Sequence, residues 1–225
     1  MTILQTENVC RVFQAGKTTI QALKNINIAI ESGTLTMLRG RSGSGKTTLM
    51  NSLGALDRPS SGKVIFDGKD ITAMTNAARD RFRCRDIGFV FQSVALISTM
   101  SALENVDFGM RISGYDANKR YDRAVECLNL VGLGKRMTHR PHELSGGEQQ
   151  RVAIARAIAH TPKVLFADEP TAELDTAMAL QIMKMFRSLI DETGLTLVMT
   201  THDPNMMELA DHVYTLEDGE IIDER

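Results

Sequence analysis

Several features that define secreted, zinc-binding or membrane-spanning proteins are missing from this sequence. The three cysteines, Cys10, Cys84 and Cys127, lie far apart and form no Cys-x-x-Cys pair, which disfavours a disulfide framework and a zinc site. No stretch reaches the ~18 consecutive apolar residues of a membrane span. The first residues carry no basic region followed by an apolar one, as a signal peptide would. We therefore expect a cytoplasmic chain that does not insert into a membrane.

A surplus of positive charge is missing as well. The 225 residues include 26 basic and 28 acidic side chains, a net charge of −2, whereas a general nucleic-acid binder usually has a basic excess. Hydrophobic residues make up 43% and charged residues 24%, which is the balance of an ordinary globular protein. The length is enough for one sizeable core or two small ones. Nucleic acid is therefore not an expected partner.

Alternating apolar and polar residues, with turn signals between them, indicate a β-rich first third. Strands are expected over 2–12 and 21–30. The dipeptide Asp67-Gly68 predicts a hairpin, and Asp218-Gly219 predicts another near the end of the chain.

One segment has the pattern of a phosphate-binding loop. Residues 34–39 predict a buried strand and residues 46–56 a helix, with a glycine-rich loop between them. Glycines let backbone N–H groups turn inward toward a phosphate, and the helix N-terminus adds partial positive charge. In this pattern Lys46 reaches the β- and γ-phosphates, and the Thr47 hydroxyl is a ligand of Mg²⁺. The predicted phosphate-binding residues are Gly40, Arg41, Ser42, Gly43, Ser44, Gly45, Lys46, Thr47 and Thr48.

A second segment, Leu144-Ser145-Gly146-Gly147-Glu148, is more specific. Ser145 stands at the predicted N-cap of an alanine-rich helix, and Glu148 completes a capping box. Together with the phosphate-binding loop, this string resembles the ATPase subunits of ABC systems. In that family the loop of one subunit and the Leu-Ser-Gly-Gly-Glu segment of another close on the same ATP. The resemblance therefore implies ATP, Mg²⁺ and a second ATPase subunit, with a homodimer favoured over a heterodimer.

Two acidic residues follow another buried strand. Asp168 and Glu169 come directly after the apolar run over 164–167. Alone, such a pair is usually a helix cap or part of a solvated loop. In one chain with the two motifs above, Asp168 is suited to contact magnesium through water, and Glu169 to polarise the attacking water as general base.

Three further residues acquire roles only through the resemblance. Gln92 ends the strand predicted over 87–91 and resembles the family's Q-loop, whose amide reaches the metal and the water. His202, within Thr201-His202-Asp203, resembles the H-loop, whose imidazole contacts the γ-phosphate. Phe13 lies where the family places an aromatic ring against adenine, which is the role we expect for it, with a place in the core as the alternative.

The remaining motifs keep the family's order along essentially the whole chain. Residues 172–175 resemble the D-loop, which runs along the dimer interface. The implied fold is α/β, a P-loop NTPase (RecA-like) core with an N-terminal antiparallel β subdomain and an inserted α-helical subdomain. The core is expected over 1–92 and 162–225. The helical subdomain is expected over 93–161, where helical periodicity runs through residues 101–131.

Three stretches, 54–62, 87–92 and 102–106, extend the resemblance to the lipoprotein-release and macrolide-export ATPases and their cell-division relatives. These work with a permease of few membrane helices and a large external domain. The implied function is to power export or membrane extraction of a lipid, peptide or drug-like cargo from the cytoplasmic face of the membrane. Residues 95–98 read Ala-Leu-Ile-Ser, where the subgroup usually has an Asn-Leu-Leu-Pro-like run, so the cargo is less well defined than the ATPase.

Other functions of the same superfamily remain open. The ATPase of a signalling complex that transports nothing, as in cell division, would carry the same motifs, and so would an importer. A DNA-repair or chromosome ATPase is disfavoured, because those have a long coiled coil or zinc modules where this chain has a compact insert. The translation-factor branch has two such domains per chain, and this sequence has one.

Overall fold

A six-stranded sheet forms the centre of the computed structural model, which describes residues 1–16, 18–172, 174–201 and 204–225. The strand order is β11-β10-β4-β9-β8-β7, and every neighbouring pair is parallel except β10 and β11. Its strands are β4 (Leu35–Arg39), β7 (Ile87–Val90), β8 (Val164–Asp168), β9 (Thr196–Thr201), β10 (His212–Glu217) and β11 (Glu220–Glu224). Strands β4, β8 and β9 are buried almost throughout, as strands of a parallel sheet covered on both faces usually are.

A smaller antiparallel sheet covers one face of the central sheet. It consists of β1 (Thr2–Ala15), β2 (Thr18–Ile26), β3 (Ala29–Glu31), β5 (Ser61–Phe66) and β6 (Lys69–Asp70). The hairpins predicted at Asp67-Gly68 and Asp218-Gly219 are confirmed, and all four turn residues have positive φ. This sheet supplies the predicted N-terminal antiparallel β part.

The single strand expected over 21–30 is wrong, because it is divided into β2 and β3. Asn25, just before the last residue of β2, has φ 50°, and this left-handed conformation lies where the pairing of β2 with β1 becomes irregular. The Asn27 side chain then accepts a hydrogen bond from the backbone N–H of Asn8 at 2.8 Å. As a result β2 and β3 pair with different parts of β1.

The helices divide between the two faces of the central sheet. They are α1 (Lys46–Leu53), α2 (Asn76–Asp86), α3 (Ala102–Ser113), α4 (Arg120–Leu130), α5 (Gly146–Ile158) and α6 (Thr176–Thr193), with 3₁₀ turns at Gly134–Arg136, Pro141–Glu143 and Pro204–Leu209. The helical pattern over 101–131 is two helices, because Gly114 at φ 75° ends α3. Helix α2 has no counterpart in the sequence prediction. Its sequence is mostly charged and shows little apolar periodicity, in agreement with Phe82 being its only buried residue.

Two hydrophobic cores lie on opposite faces of the central sheet. One joins α1 and the antiparallel sheet to residues such as Leu38 and Phe166. The other joins α3, α4, α5 and α6 to residues such as Leu35 and Leu165. Helices α3–α5 all lie between β7 and β8 in the chain, where the helical insert was expected. Because they share a core with the central sheet, the bounds 93–161 stay a prediction.

None of the helices that the structure describes is long and apolar enough to cross a bilayer.

The contact between β7 and α5 gives a test of this packing. A Cβ at Gly88 would lie 2.5 Å from the backbone oxygen of Ala157 and 2.9 Å from Leu165 Cδ1. Gly88→Ala should therefore lower the free energy of unfolding by about 1–3 kcal/mol, the usual cost of overpacking. Urea unfolding measures it. Gly146→Ala at the start of α5 is the control for stability, because nothing lies within 4 Å of a Cβ built there. Equal stability of both variants would contradict the packing.

Candidate active site

The candidate site lies where four parallel strands end at the same edge of the sheet. Leu38 of β4 is in register with Thr200 of β9, which is in register with Asp168 of β8. The loops after β4, β8 and β7 therefore meet around a cavity of ≈ 520 Å³. The cavity is lined by Ala22 of β2, by Gly40, Arg41, Ser42, Gly43, Gly45, Lys46, Thr47 and Thr48, and by Gln92, Asp168 and Glu169. The structure thus brings together most of the residues singled out in the sequence.

The glycine loop adopts a shape that larger residues would prevent. Gly40 has φ 154° and Gly45 has φ 106°, both in the region that favours glycine. A Cβ at Gly40 would collide with the backbone oxygen of Leu216, and one at Gly45 would lie 2.6 Å from that of Ala22. The loop therefore packs directly against β10 and β2, which leaves its other side to line the cavity.

Lys46 and Ser44 place polar groups in this loop. The Lys46 ammonium donates hydrogen bonds to the backbone oxygens of Gly40, at 2.8 Å, and Arg41, at 3.1 Å. It is thus held inside the curve of the loop. The buried Ser44 hydroxyl has no hydrogen-bond partner among the described residues. Ser44 does not line the cavity, and its hydroxyl lies on the side of the loop where Gly40 meets β10. The loop residues that do line it, among them Gly43, Gly45 and Lys46, fit the oxygen-rich phosphates of ATP.

Asp168 and Glu169 are joined to the loop and to β9 by a short chain of hydrogen bonds. The Thr47 hydroxyl donates to Asp168 Oδ2 at 3.1 Å, and the Thr200 hydroxyl donates to Asp168 Oδ1 at 2.6 Å. Thr200 Oγ1 also accepts the backbone N–H of Glu169 at 2.9 Å. The sequence analysis missed Thr200. The available signal was its place near the end of β9, beside Asp168. That signal can be recognised only when the order of the strands in the sheet is known.

The oxygen atoms at this edge suit a magnesium ion that also binds ATP. Among the residues that line the cavity, Thr47 offers a hydroxyl, Gln92 an amide and Asp168 a carboxylate close to the loop. Mg²⁺ prefers such oxygens and typically binds one or two carboxylates plus substrate phosphates. Among the described residues, no group of three or more His, Cys, Asp or Glu side chains is arranged so that it could hold a metal ion. A protein-only metal cage is accordingly not the arrangement found in this part of the chain.

Phe13 lies on β1 opposite Ile20, and 38% of its surface is exposed, so it is not a core residue. The Arg11 guanidinium carbon lies 4.3 Å from the centre of its ring. Arg11 is itself fixed by two hydrogen bonds to Asp57, at 2.6 and 2.9 Å. Phe13 does not line the ≈ 520 Å³ cavity. Its contact with adenine stays a prediction.

The Leu-Ser-Gly-Gly-Glu segment begins α5, and its predicted capping box is confirmed. Glu148 N–H donates to Ser145 Oγ at 3.3 Å, and Ser145 N–H donates to Glu148 Oε2 at 2.9 Å. This backbone hydrogen bond is the main reason that the pKa of Glu148 lies below its usual value. Glu148 also pairs with Arg136 at 3.3 Å. Its carboxylate therefore serves the helix end, and Ser145 and Gly146 stay exposed.

This segment does not line the phosphate cavity of its own chain. It lies instead beside the predicted D-loop, because a Cβ at Gly147 would approach Leu174 Cδ2 at 3.4 Å and Met178 Cγ at 3.3 Å. Asp175 caps α6 by accepting the N–H of Met178 at 2.9 Å. Glu173, His202 and Asp203 lie outside the described residues.

Comparisons with known proteins agree with this geometry. The family model described as ABC transporter matches residues 23–172. An uncharacterized ABC transporter ATP-binding protein of Methanocaldococcus jannaschii is 43% identical over 221 residues, which are 98% of each chain. The lipoprotein-releasing system ATP-binding protein LolD of Syntrophotalea carbinolica is 43% identical over 97% of this chain and 96% of its own. The macrolide export ATP-binding/permease protein MacB of Syntrophobacter fumaroxidans is 42% identical over 98% of this chain but only 31% of its own length.

Solved structures show the same fold. The ATP-binding cassette MJ0796, in a dimeric post-hydrolysis state bound to ADP and Pi, superposes with a TM-score of 0.92 at 38% identity, covering 99% of this chain and 98% of that one. CbiO1 from Clostridium perfringens, part of the ABC transporter complex cbiONQ, gives a TM-score of 0.89 at 33% identity, covering 99% and 88%. At these values the likeness covers nearly the whole chain.

Proposed function

The chain belongs to the ABC transporter family as an ATP-binding subunit that hydrolyses ATP, and we propose that it powers export or membrane extraction of a lipid, peptide or drug-like cargo through a separate permease chain. The observation that carries the ATPase part is the cavity of ≈ 520 Å³ that is lined by the glycine loop, Lys46, Asp168 and Glu169. The export part rests on relatives named for lipoprotein release and macrolide export. The protein would act at the cytoplasmic face of the membrane.

Binding of ATP follows from the loop. Backbone N–H groups of residues 40–45 and the Lys46 ammonium meet the β- and γ-phosphates, and the N-terminus of α1 adds partial positive charge. Bound Mg²⁺ would neutralise charge on the phosphates, held by Thr47, Gln92 and, through water, Asp168. Lys46 would exchange its bonds to the Gly40 and Arg41 oxygens for bonds to phosphate.

Hydrolysis needs a water molecule placed in line with the γ-phosphate. Glu169 lines the cavity and is the proposed general base, taking a proton from that water. Gln92 would orient the same water, and His202 would contact the γ-phosphate. Positioning and charge stabilisation supply most of the rate enhancement in phosphoryl transfer.

Two copies of the chain would complete the site. Ser145, Gly146 and Gly147 do not line the cavity of their own chain. In ABC ATPases this segment acts on the ATP of another subunit, so a second copy would supply them. ATP that binds only the closed dimer stabilises it by about 2.7 kcal/mol per site at a hundredfold excess over its dissociation constant. Loss of the γ-phosphate removes the bridge and lets the dimer reopen. A permease attached to both copies would follow this cycle.

Glu169→Gln tests the general base. The amide cannot take the proton, so hydrolysis should fall about 10²–10⁴-fold, the usual contribution of a general base. ATP should still bind and the ATP-bound dimer should accumulate, as measured by phosphate release and light scattering. Glu192→Gln, an exposed position on α6, is the matched control and should behave as wild type. Hydrolysis near the wild-type rate in Glu169→Gln would remove this residue from the role.

Ser145→Arg tests whether the exposed segment acts on the other copy. A bulky cation there should block closure and reduce hydrolysis by about 10²–10³-fold, the range seen when a donor to a developing charge is removed. Binding of ATP to the monomer should be unaffected. Ser101→Arg is a close control, because Ser101 forms the same capping box with Glu104 at the start of α3. If Ser145→Arg loses ATP binding as well as hydrolysis, the proposed contribution in trans is wrong.

The transport role is tested by co-purification from native membranes in detergent, with tagged Glu169→Gln protein, ATP and Mg²⁺. We expect a permease of few membrane helices with a large external domain. A many-helix permease with a solute-binding protein would instead make the chain part of an importer. A few-helix membrane protein bound to cell-wall hydrolases would support the signalling alternative. Recovery of a stable dimer without any membrane protein would contradict the transport role and the signalling alternative.

A further inference from the structure

We propose that Thr200 is a positioning residue for ATP hydrolysis, whose one hydroxyl orients the carboxylate of Asp168 and fixes the backbone turn that carries Glu169. The inference rests on the roles proposed above for these two acids. Thr200 does not line the cavity. By this proposal it does not touch the nucleotide either, and it acts only through Asp168 and Glu169.

The hydroxyl of Thr200 is fully buried, and it donates one hydrogen bond and accepts another. It lies on β9 with 0% exposure, directly beside Asp168 on β8. A threonine hydroxyl has one proton to donate. That proton goes to Asp168 Oδ1 at 2.6 Å, and Oγ1 accepts the Glu169 backbone N–H at 2.9 Å. Because neither carboxylate nor backbone N–H can exchange roles, the direction of both hydrogen bonds is fixed.

For Asp168 the consequence is a single carboxylate orientation. With Oδ1 bound to Thr200, Oδ2 points to the Thr47 hydroxyl at 3.1 Å. Hydrogen bonds to an ionised carboxylate are short and strong, so this contact restrains the rotation of the Asp168 side chain. The oxygen that remains on the cavity side is the one available to a water molecule of a bound Mg²⁺.

For Glu169 the consequence is a defined exit from β8. Its φ of 45° is in the left-handed region, which costs free energy for a residue with a side chain. The bond from its N–H to Thr200 Oγ1 stabilises this conformation. The strand therefore stops at Asp168, and the Glu169 side chain lines the cavity instead of continuing the buried face of β8.

Two other buried threonines of the sheet provide controls that distinguish a positioning role of Thr200 from a role in packing. Thr196 is on the same strand with 0% exposure, and its hydroxyl accepts the Gly33 N–H at 3.0 Å, at the opposite end of the sheet from the cavity. Thr36 on β4 is also buried, and its hydroxyl has no partner among the described residues. Thr196→Val therefore removes a comparable hydrogen bond without touching the acids, and Thr36→Val removes none.

The test compares Thr200→Val, Thr200→Ala and Thr200→Ser with Thr196→Val and Thr36→Val. In Thr200→Val we expect kcat to fall about tenfold or more, the effect of losing one hydrogen bond to a charged group. The Mg²⁺ concentration for half-maximal rate should rise, and binding of ATP without Mg²⁺ should stay unchanged. Thr200→Ser restores the hydroxyl and should recover most of kcat. Thr200→Ala provides the same comparison if valine impairs folding.

A readout independent of activity is the hydrogen exchange of the Glu169 backbone amide, followed by NMR. It should accelerate in Thr200→Val and recover in Thr200→Ser, whereas Thr196→Val and Thr36→Val should leave it unchanged. Wild-type kcat and exchange in Thr200→Val would overturn the inference, and so would a loss of kcat that Thr196→Val reproduces. If Asp168→Asn and Glu169→Gln hydrolyse ATP normally, the proposed roles of the acids fail. If those two variants lose activity and Thr200→Val does not, the acids keep their proposed roles and only the positioning role of Thr200 is overturned.

Discussion

The register of three parallel strands, β4, β9 and β8, determines where the glycine loop and the two acids of the nucleotide site lie. It aligns Leu38, Thr200 and Asp168 at one edge of the sheet, so the glycine loop after β4 and the acids after β8 meet across β9. The loop can come this close only because Gly40 and Gly45 lack side chains where it touches β10 and β2. A register shift of one residue would turn the Asp168 carboxylate to the other face of the sheet.

Local chemistry explains which parts of the site the sequence could predict. A glycine loop between a strand and a helix, a capping box at Ser145, and a hairpin at Asp67-Gly68 each depend on residues a few positions apart. Their signals were therefore readable, and all three are present. Helix α2 was not predicted, because charged residues dominate it and only Phe82 is buried. Its sequence therefore has little apolar periodicity, and its stability depends on tertiary contacts.

The role of Thr200 was not predicted for a different reason. Its hydroxyl is meaningful only beside Asp168, which is 32 residues away in sequence and adjacent only through sheet pairing. In the sequence it is one threonine of several at the end of an apolar strand. The division of residues 21–30 into two strands is similar, because the contact between Asn27 and Asn8 that accompanies it is also non-local.

One chain holds only half of the proposed site, because the start of α5 lies outside the cavity of its own chain. Glu148 is occupied with Ser145 and Arg136, so it stabilises the helix end and does not reach into the cavity. Ser145 and Gly146 remain exposed, and the first N–H groups of a helix lack intrahelical partners. With the partial positive charge of the helix N-terminus, they present a surface that suits a phosphate brought by another molecule. The cavity at Lys46 presents the complementary half, so bound ATP is the element that would join two copies.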